Sequence, residues 1–101
     1  MADKYQTNLQ LLKNNDEELL NYLKAKFPMF HNSNFFFRDF QYGIRSFLEK
    51  KEIKVSYQTA ENLAYEMAKY YEEKNLFVKI NDQTWMVSKQ EFVTAEPGDP
   101  F

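Results

Sequence analysis

The sequence predicts a small α+β domain in which three main helices are followed by a C-terminal β-hairpin. The helices are indicated by apolar residues that recur with the 3.6-residue period of one helix face. This pattern is clearest in the third helix, where it comprises Tyr57, Ala60, Ala64, Met67, Ala68 and Tyr71. The hairpin is indicated by two short apolar segments, residues 76–80 and 84–87, on either side of the turn-forming residues 81–83. A chain of 101 residues is long enough for one such domain.

The domain boundaries follow from local composition. We expect residues 1–8 to be a flexible N-terminus because they are mostly polar, and residues 9–88 to form the single domain. Residues 89–101 contain two prolines, one glycine and an excess of acidic side chains. This composition predicts a flexible acidic tail.

The first helix is predicted to start at Asn15 and to end near Phe27. Asn15 is a suitable N-cap because its side-chain oxygen accepts hydrogen bonds from free backbone N–H groups, and the acids of residues 16–18 oppose the positive end of the helix dipole. Pro28 disfavours helical geometry at the residue before it, which ends the helix. The leucines within residues 9–12 are compatible either with a further helix or with a short turn.

The second helix is predicted within residues 35–51 because its apolar residues share one face. These residues are Phe36, Phe37, Phe40, Ile44, Phe47 and Leu48. Gly43 interrupts the stretch, and glycine in a helix interior costs about 1 kcal/mol relative to alanine. It marks either a close crossing of two helices or a break in this helix, and the sequence leaves both alternatives open.

The third helix is predicted over residues 57–74, with Ser56 as its N-cap and Asn75 as a left-handed residue after its end. Residues 53–55 alternate in polarity and are compatible with a short strand before it. In the hairpin, alternation places Leu76, Val78 and Ile80 on one face and Phe77 and Lys79 on the other. We assign the face with Phe77 and Lys79 to the exposed surface.

Several chemistries are excluded by residue content. The chain contains no cysteine, which excludes a disulfide, a thiolate metal site and a cysteine nucleophile. One histidine, His31, and two glycines, Gly43 and Gly98, provide neither a set of metal ligands nor a glycine-rich phosphate loop. The acidic runs at residues 16–18 and 72–73 fit a helix start and a solvated helix face. We therefore expect no enzyme activity, no metal site, no cofactor and no small-molecule substrate.

The cellular location is inferred from the absence of targeting signals. The first residues lack the basic and then apolar layout of a signal peptide. No run approaches the roughly 18 apolar residues that a membrane-spanning helix needs. We expect a cytoplasmic protein without a transmembrane segment.

The order of the elements resembles that of a winged-helix domain, and the segment from Phe40 to Val87 is similar to the DEP subtype of that family. The resemblance rests mainly on core positions, which are Phe40, Gly43, Ile44, Phe47, Leu48, Ala60, Ala64, Met67, residues 75–78 and Trp85. It implies a winged-helix fold whose third helix and hairpin wing are available for contacts. DEP domains also carry a β-hairpin arm between their first two helices, and residues 29–34 leave little room for one. The resemblance therefore does not extend to membrane or receptor docking.

We interpret the domain as a non-catalytic interaction module whose partner is a protein or a second copy of the chain. Tyr65 lies on an outward flank of the third helix, where an exposed aromatic side chain supplies affinity and the charges around it set orientation. The residues assigned to partner binding are Asn62, Tyr65, Glu66, Lys69, Phe77 and Lys79.

The alternative interpretation is a DNA-binding, transcription-factor-like regulator that uses the third helix and the wing. Its candidate residues are Arg38, Arg45, Lys50, Lys51, Lys54, Gln58, Asn62 and Lys69. Residues 35–55 carry five basic against three acidic groups, and amide side chains such as Gln58 can pair with adenine. Residues 56–75 carry two lysines against four glutamates, and the isoelectric point is 5.4. This balance disfavours phosphate contacts, so a protein partner is the first interpretation and nucleic acid the second.

Overall fold

The computed structural model describes residues 4–27 and 29–89, which form four helices and one three-stranded antiparallel sheet. In chain order the elements are α1 (Lys4–Asn14), α2 (Asp16–Lys26), β1 (Asn34–Phe36), α3 (Phe37–Lys50), α4 (Tyr57–Glu73), β2 (Phe77–Asn81) and β3 (Thr84–Val87). The small α+β domain is confirmed, but the described part of the chain has one helix more than expected. The tail assigned to residues 89–101 lies outside the described residues, apart from Lys89.

The additional helix is α1, which begins at Lys4. It therefore includes part of residues 1–8, which we expected to be a flexible N-terminus, and the folded domain starts earlier than residue 9. The side chains of Leu9 and Leu12 are buried, and α1 packs against α4. Burial of these two leucines stabilises a helix whose other positions are mostly polar.

The end of α2 agrees with its prediction, but the predicted N-cap at its start does not form. Asn15 does not cap the helix with its side chain; its Nδ2 instead donates a hydrogen bond to the carbonyl oxygen of Leu11 at 2.8 Å. The acids of residues 16–18 do occupy the first turn of the helix. The helix ends at Lys26 as predicted, because Phe27 has an extended backbone with φ −129° and ψ 157°.

Gly43 lies within one continuous helix, α3, so the close crossing is the correct alternative. A Cβ atom at residue 43 would overlap Cδ2 of Leu23 in α2. Glycine therefore allows α2 and α3 to approach each other more closely than any other residue would. The start of α3 differs from the prediction, because Phe35 and Phe36 lie in β1 and the helix begins at Phe37.

The ends of α4 agree with the sequence. The Ser56 hydroxyl accepts a hydrogen bond from the backbone N–H of Thr59 at 3.1 Å, and Asn75 has a left-handed backbone with φ 63°. Residues 53–55 do not form the short strand considered above. The third strand of the sheet is β1, which precedes α3.

The sheet has the order β1-β3-β2, so β3 is the central strand. The inner face of the sheet packs against α3 and α4 through Phe35, Phe77 and Trp85, each only 2% exposed. The ring centroid of Phe77 lies 5.0 Å from that of Tyr71 and 5.5 Å from that of Phe40. These aromatic contacts hold the hairpin against the helices.

The buried face of β2 is the opposite of the predicted one. Phe77 is a core residue and not part of an exposed surface, whereas Val78 and Ile80 are 45% and 51% exposed. Because side chains alternate along a strand, burial of the large Phe77 ring among the aromatic side chains forces its neighbours outward. Lys79 follows Phe77 on the inner face but is exposed.

A hydrogen-bonded junction at Asp16 connects the start of α2 to the end of α4. Asp16 Oδ2 accepts a hydrogen bond from the Tyr70 hydroxyl at 2.9 Å and lies 3.2 Å from Lys74 Nζ. The buried Tyr71 hydroxyl donates to the carbonyl oxygen of Asp16 at 2.8 Å. Partial burial acts to raise the pKa of the Asp16 carboxyl, but hydrogen bonds from Tyr70, Lys74 and the Glu17 backbone outweigh it and hold this pKa below its usual value.

Asp16→Asn is expected to lower the free energy of unfolding by about 1–2 kcal/mol at neutral pH, because a charged hydrogen-bond acceptor is lost. The pKa of Asp16 is lower in the folded chain than in the unfolded chain. Its contribution is therefore fully present above the unfolded pKa and is lost as the pH falls through the folded pKa. Urea unfolding of both proteins, repeated from neutral pH into acid, should show the two stabilities converging.

Asp82→Asn is the matched control, because the Asp82 side chain is 91% exposed and pairs only loosely with Lys79 at 3.5 Å. It should change the stability by less than about 0.5 kcal/mol. A loss in Asp16→Asn that stays constant over the whole pH range would contradict this account of the junction.

Candidate docking site at Tyr65

A groove lies between α3 and α4 and encloses a cavity of about 540 Å³. We call it the α3–α4 groove. Its lining residues are Phe37, Arg38, Gln41, Tyr57, Glu61, Tyr65 and Gln83. The two helices supply opposite walls, and Gln83 belongs to the turn between β2 and β3.

Tyr65 is a partly exposed aromatic side chain that packs on the core from within this groove. Its ring stacks on the buried Phe37 ring with a centroid distance of 4.3 Å and an interplanar angle of 24°. It nevertheless remains 41% exposed. An aromatic ring that is already held in place loses little conformational entropy when a partner covers it.

The start of α4 is fastened to α3 by two polar contacts beside the groove. Gln41 Nε2 donates to the carbonyl oxygen of Tyr57 at 3.1 Å, and Arg45 Nε donates to that of Val55 at 3.2 Å. The Arg45 guanidinium also lies 5.2 Å from the centroid of the Tyr57 ring. These contacts orient Tyr57, which is 59% exposed.

A second concavity of about 450 Å³, the hairpin pocket, lies on the other side of Tyr65. Its lining residues are Tyr65, Lys69, Glu72, Lys79, Asp82, Gln83 and Trp85. The Trp85 indole N–H donates to Glu72 Oε2 at 2.6 Å, which connects β3 to α4. Tyr65 and Gln83 line both concavities, so the two form one surface across the end of the hairpin.

The structure brings together half of the residues that the sequence assigned to partner binding. Tyr65, Lys69 and Lys79 line the hairpin pocket. Asn62 and Glu66 are exposed on α4 but line neither concavity. Phe77 belongs to the core, as described above.

The candidate nucleic-acid residues are divided among several surfaces. Arg38 lines the α3–α4 groove with Arg45 beside it, and Lys69 lines the hairpin pocket. Lys50 and Lys51 line a separate cavity of about 340 Å³ between α2 and α3.

The remaining three candidates lie elsewhere. Lys54 faces α1 across a further cavity of about 370 Å³. Gln58 and Asn62 are exposed and form a hydrogen bond with each other at 3.3 Å. The eight candidates therefore do not make up one continuous basic surface.

The sequence interpretation missed an apolar surface on the outward side of the sheet. This outer sheet face consists of the outward positions of the three strands: the apolar Phe36, Val78, Ile80 and Met86, together with the polar Asn34 and Thr84, of which Thr84 is only 9% exposed. None of these side chains is charged, and Phe36 is 52% exposed. Alternation within β2 predicts this face, but Val78 and Ile80 lie on the exposed side of the strand and Phe77 on the buried side.

The described residues contain no group of three or more His, Cys, Asp or Glu side chains arranged to hold a metal ion. None of the helices in residues 4–27 and 29–89 is long and apolar enough to cross a membrane. Comparison of the chain with protein-family models, with curated proteins and with solved structures finds no significant match.

Mutation of Glu72 tests whether its hydrogen bond with Trp85 holds the hairpin to α4. Glu72→Leu leaves the buried indole N–H without its acceptor and should lower the free energy of unfolding by about 1–3 kcal/mol. Glu72→Gln retains an acceptor oxygen, so it should lower the free energy of unfolding by less. Urea unfolding followed by fluorescence of the single tryptophan measures both variants.

Glu73→Leu is the matched control, because this neighbouring glutamate is exposed. It should change the stability by less than about 0.5 kcal/mol. Equal stabilities of Glu72→Leu and Glu73→Leu would show that the indole hydrogen bond does not hold the hairpin to α4.

Proposed function

We propose that this chain is a non-catalytic, winged-helix-type interaction module of the cytoplasm that binds a protein partner at the Tyr65 surface. The observation that carries the proposal is the position of Tyr65, which is stacked on the core, partly exposed and shared by two adjacent concavities. The succession of α2, α3, α4 and the β2–β3 hairpin supports the winged-helix part of the proposal.

The chemistry of the surface favours a protein partner. Interface energy is concentrated in a few aromatic and arginine side chains that sit beside polar groups, and this surface offers Tyr57 and Tyr65 close to Arg38. Two of the ionisable groups of the hairpin pocket have partners inside it, since Glu72 accepts a hydrogen bond from the Trp85 indole and Lys79 lies 3.5 Å from Asp82. Such groups orient a partner rather than transfer protons.

The distribution of charge gives less support to nucleic acid than to a protein partner. Phosphate binding needs several basic side chains along one path, and here they lie on separate surfaces of the domain. Glu61 lies within the α3–α4 groove itself, and Glu66 is exposed on the same helix. A phosphate backbone that entered the groove would meet the Glu61 carboxylate.

The proposal predicts that Tyr65→Ala loses the partner. Proteins captured from an extract of the native host by the wild-type chain should bind Tyr65→Ala at least about tenfold more weakly, because an aromatic anchor at an interface centre is worth about 2 kcal/mol or more. Tyr42→Ala is the matched control, because Tyr42 is 51% exposed on α3 but does not line the groove. It should capture the same proteins as the wild type.

Circular dichroism of each variant shows whether the fold is retained. Unchanged capture by a folded Tyr65→Ala variant would remove the Tyr65 surface from consideration. Duplex DNA binding at low salt that weakens steeply as salt is added would place the nucleic-acid function first.

A further inference from the structure

The outward side of α4 carries its charges in an order that is complementary to itself. Tyr65 is the middle one of the 17 residues of this helix. Glu61 lies four residues before Tyr65 and Lys69 four residues after it, so each is about 6 Å from Tyr65 along the helix axis. At 3.6 residues per turn an arc of about 80° of the helix contains Gln58, Glu61, Tyr65, Lys69 and Glu72.

The two charges that flank Tyr65 have no ion-pair partner in the described part of the chain. The ion pairs formed within residues 4–27 and 29–89 include neither Glu61 nor Lys69. Lys69 is exposed, and Glu61 is half-buried at the wall of the α3–α4 groove. Both charges are therefore available to a molecule that covers Tyr65.

We infer that a second copy of this chain binds at the Tyr65 surface, with the two α4 helices packed antiparallel about a two-fold axis beside Tyr65. The two Tyr65 rings then meet at the centre, and Glu61 of each chain pairs with Lys69 of the other. The inference rests on the proposed function, since it names the protein partner that the same surface receives.

Charge determines the direction of the second helix. In an antiparallel pair centred on Tyr65, residues equally far before and after Tyr65 face each other, so Glu61 meets Lys69 twice. No two like charges of the outward side then face each other. A parallel pair would instead place Glu61 against Glu61 and Lys69 against Lys69, and such like-charge contacts are unfavourable.

Charge also determines the register of the antiparallel pair. A shift by one helical turn in one direction would place Glu61 against Glu73. The same shift in the other direction would place Glu61 against Tyr65 and leave it without an opposite charge. The register centred on Tyr65 is therefore the one that pairs both flanking charges.

The remainder of the Tyr65 surface does not repel its own copy. The α3–α4 groove contains one basic and one acidic side chain, Arg38 and Glu61. The hairpin pocket contains two lysines and two carboxylates. Each concavity thus has no net charge, whereas a surface with charges of a single sign would disfavour association with an identical surface.

The size of the contact sets the expected affinity. Helix α4 is about 25 Å long and about 10 Å wide. A contact of this size lies well below the roughly 800 Å² per partner that stable complexes bury. We expect a reversible dimer with a Kd of roughly 100 µM.

Sedimentation equilibrium of the full-length chain between about 10 µM and 1 mM tests the inference, and the wild type should change from monomer to dimer over this range. Glu61→Lys and Lys69→Glu should each weaken the dimer by about tenfold, because one substitution reverses two ion pairs in a two-fold arrangement. The double variant with both substitutions restores both pairs with exchanged signs. Its Kd should return to within about threefold of the wild-type value.

Glu49→Lys is the matched control, because it makes the same charge reversal at an exposed position of α3 that lines neither concavity. It should dimerise like the wild type. An equal mixture of Glu61→Lys and Lys69→Glu should associate more tightly than either variant alone, since the two chains then offer each other opposite charges. Circular dichroism of each variant shows that the fold is retained.

Three results would overturn the inference. They are a wild-type chain that stays monomeric at about 1 mM, single charge reversals that leave the Kd unchanged, and a double variant that associates as weakly as the single ones. In the parallel arrangement the single reversals would have no effect, because each residue would still face its own copy.

The proposed function fails separately. If the wild-type chain stays monomeric while Tyr65→Ala loses its captured host proteins, the proposed function stands and only the present inference is wrong. If the dimer responds to the charge variants as expected while a folded Tyr65→Ala variant captures the same host proteins, the second copy is supported and an external partner at this surface is not.

Discussion

The aromatic packing of the β2–β3 hairpin against α3 and α4 is the constraint on which the rest of the structure depends. Phe77 and Trp85 point inward and meet Phe40 and Tyr71, with Phe77 in edge and tilted contacts to all three of these rings. Buried aromatic side chains contribute about 1.5–3 kcal/mol each through the area they remove from water. Because strand side chains alternate, this packing also determines which residues of β2 face solvent.

The same packing creates the surface around Tyr65. The turn of the hairpin brings Gln83 to α3 and α4, so that a groove and a pocket are formed on either side of one stacked tyrosine. The opposite wall depends on how α3 is placed, and Gly43 allows α3 to lie close to α2. The candidate site is therefore a product of tertiary packing, because no single element contains it.

The parts of this fold that the sequence predicted are those determined by neighbouring residues. The stripe of α4, its Ser56 cap and the left-handed Asn75 are local features, and so is the end of α2 before Pro28. In contrast, β1 has only three residues and is a strand because Phe35 pairs with Trp85, far along the chain. Helix α1 likewise depends on distant packing against α4.

In the candidate site, as in the fold, only the features set by neighbouring residues were predictable from the sequence. The outward position of Tyr65 follows from the period of α4, but the participation of Arg38 and Gln41 follows only from the packing of α3 against α4. The buried face of β2 was likewise not predictable from the sequence alone, since alternation defines two faces but does not say which one is buried. The size of the Phe77 ring decides between them only when Phe40 and Tyr71 are already in place.

The most direct test of this account compares the free energies of unfolding of Phe77→Ala and Ile80→Ala by urea denaturation. With Phe77 in the aromatic core and Ile80 half exposed on the outer sheet face, Phe77→Ala should lose about 3–5 kcal/mol. Ile80→Ala should lose less than about 1 kcal/mol. A larger loss for Ile80→Ala than for Phe77→Ala would mean that the hairpin presents its other face to the helices, and the surface described around Tyr65 would not exist in this form.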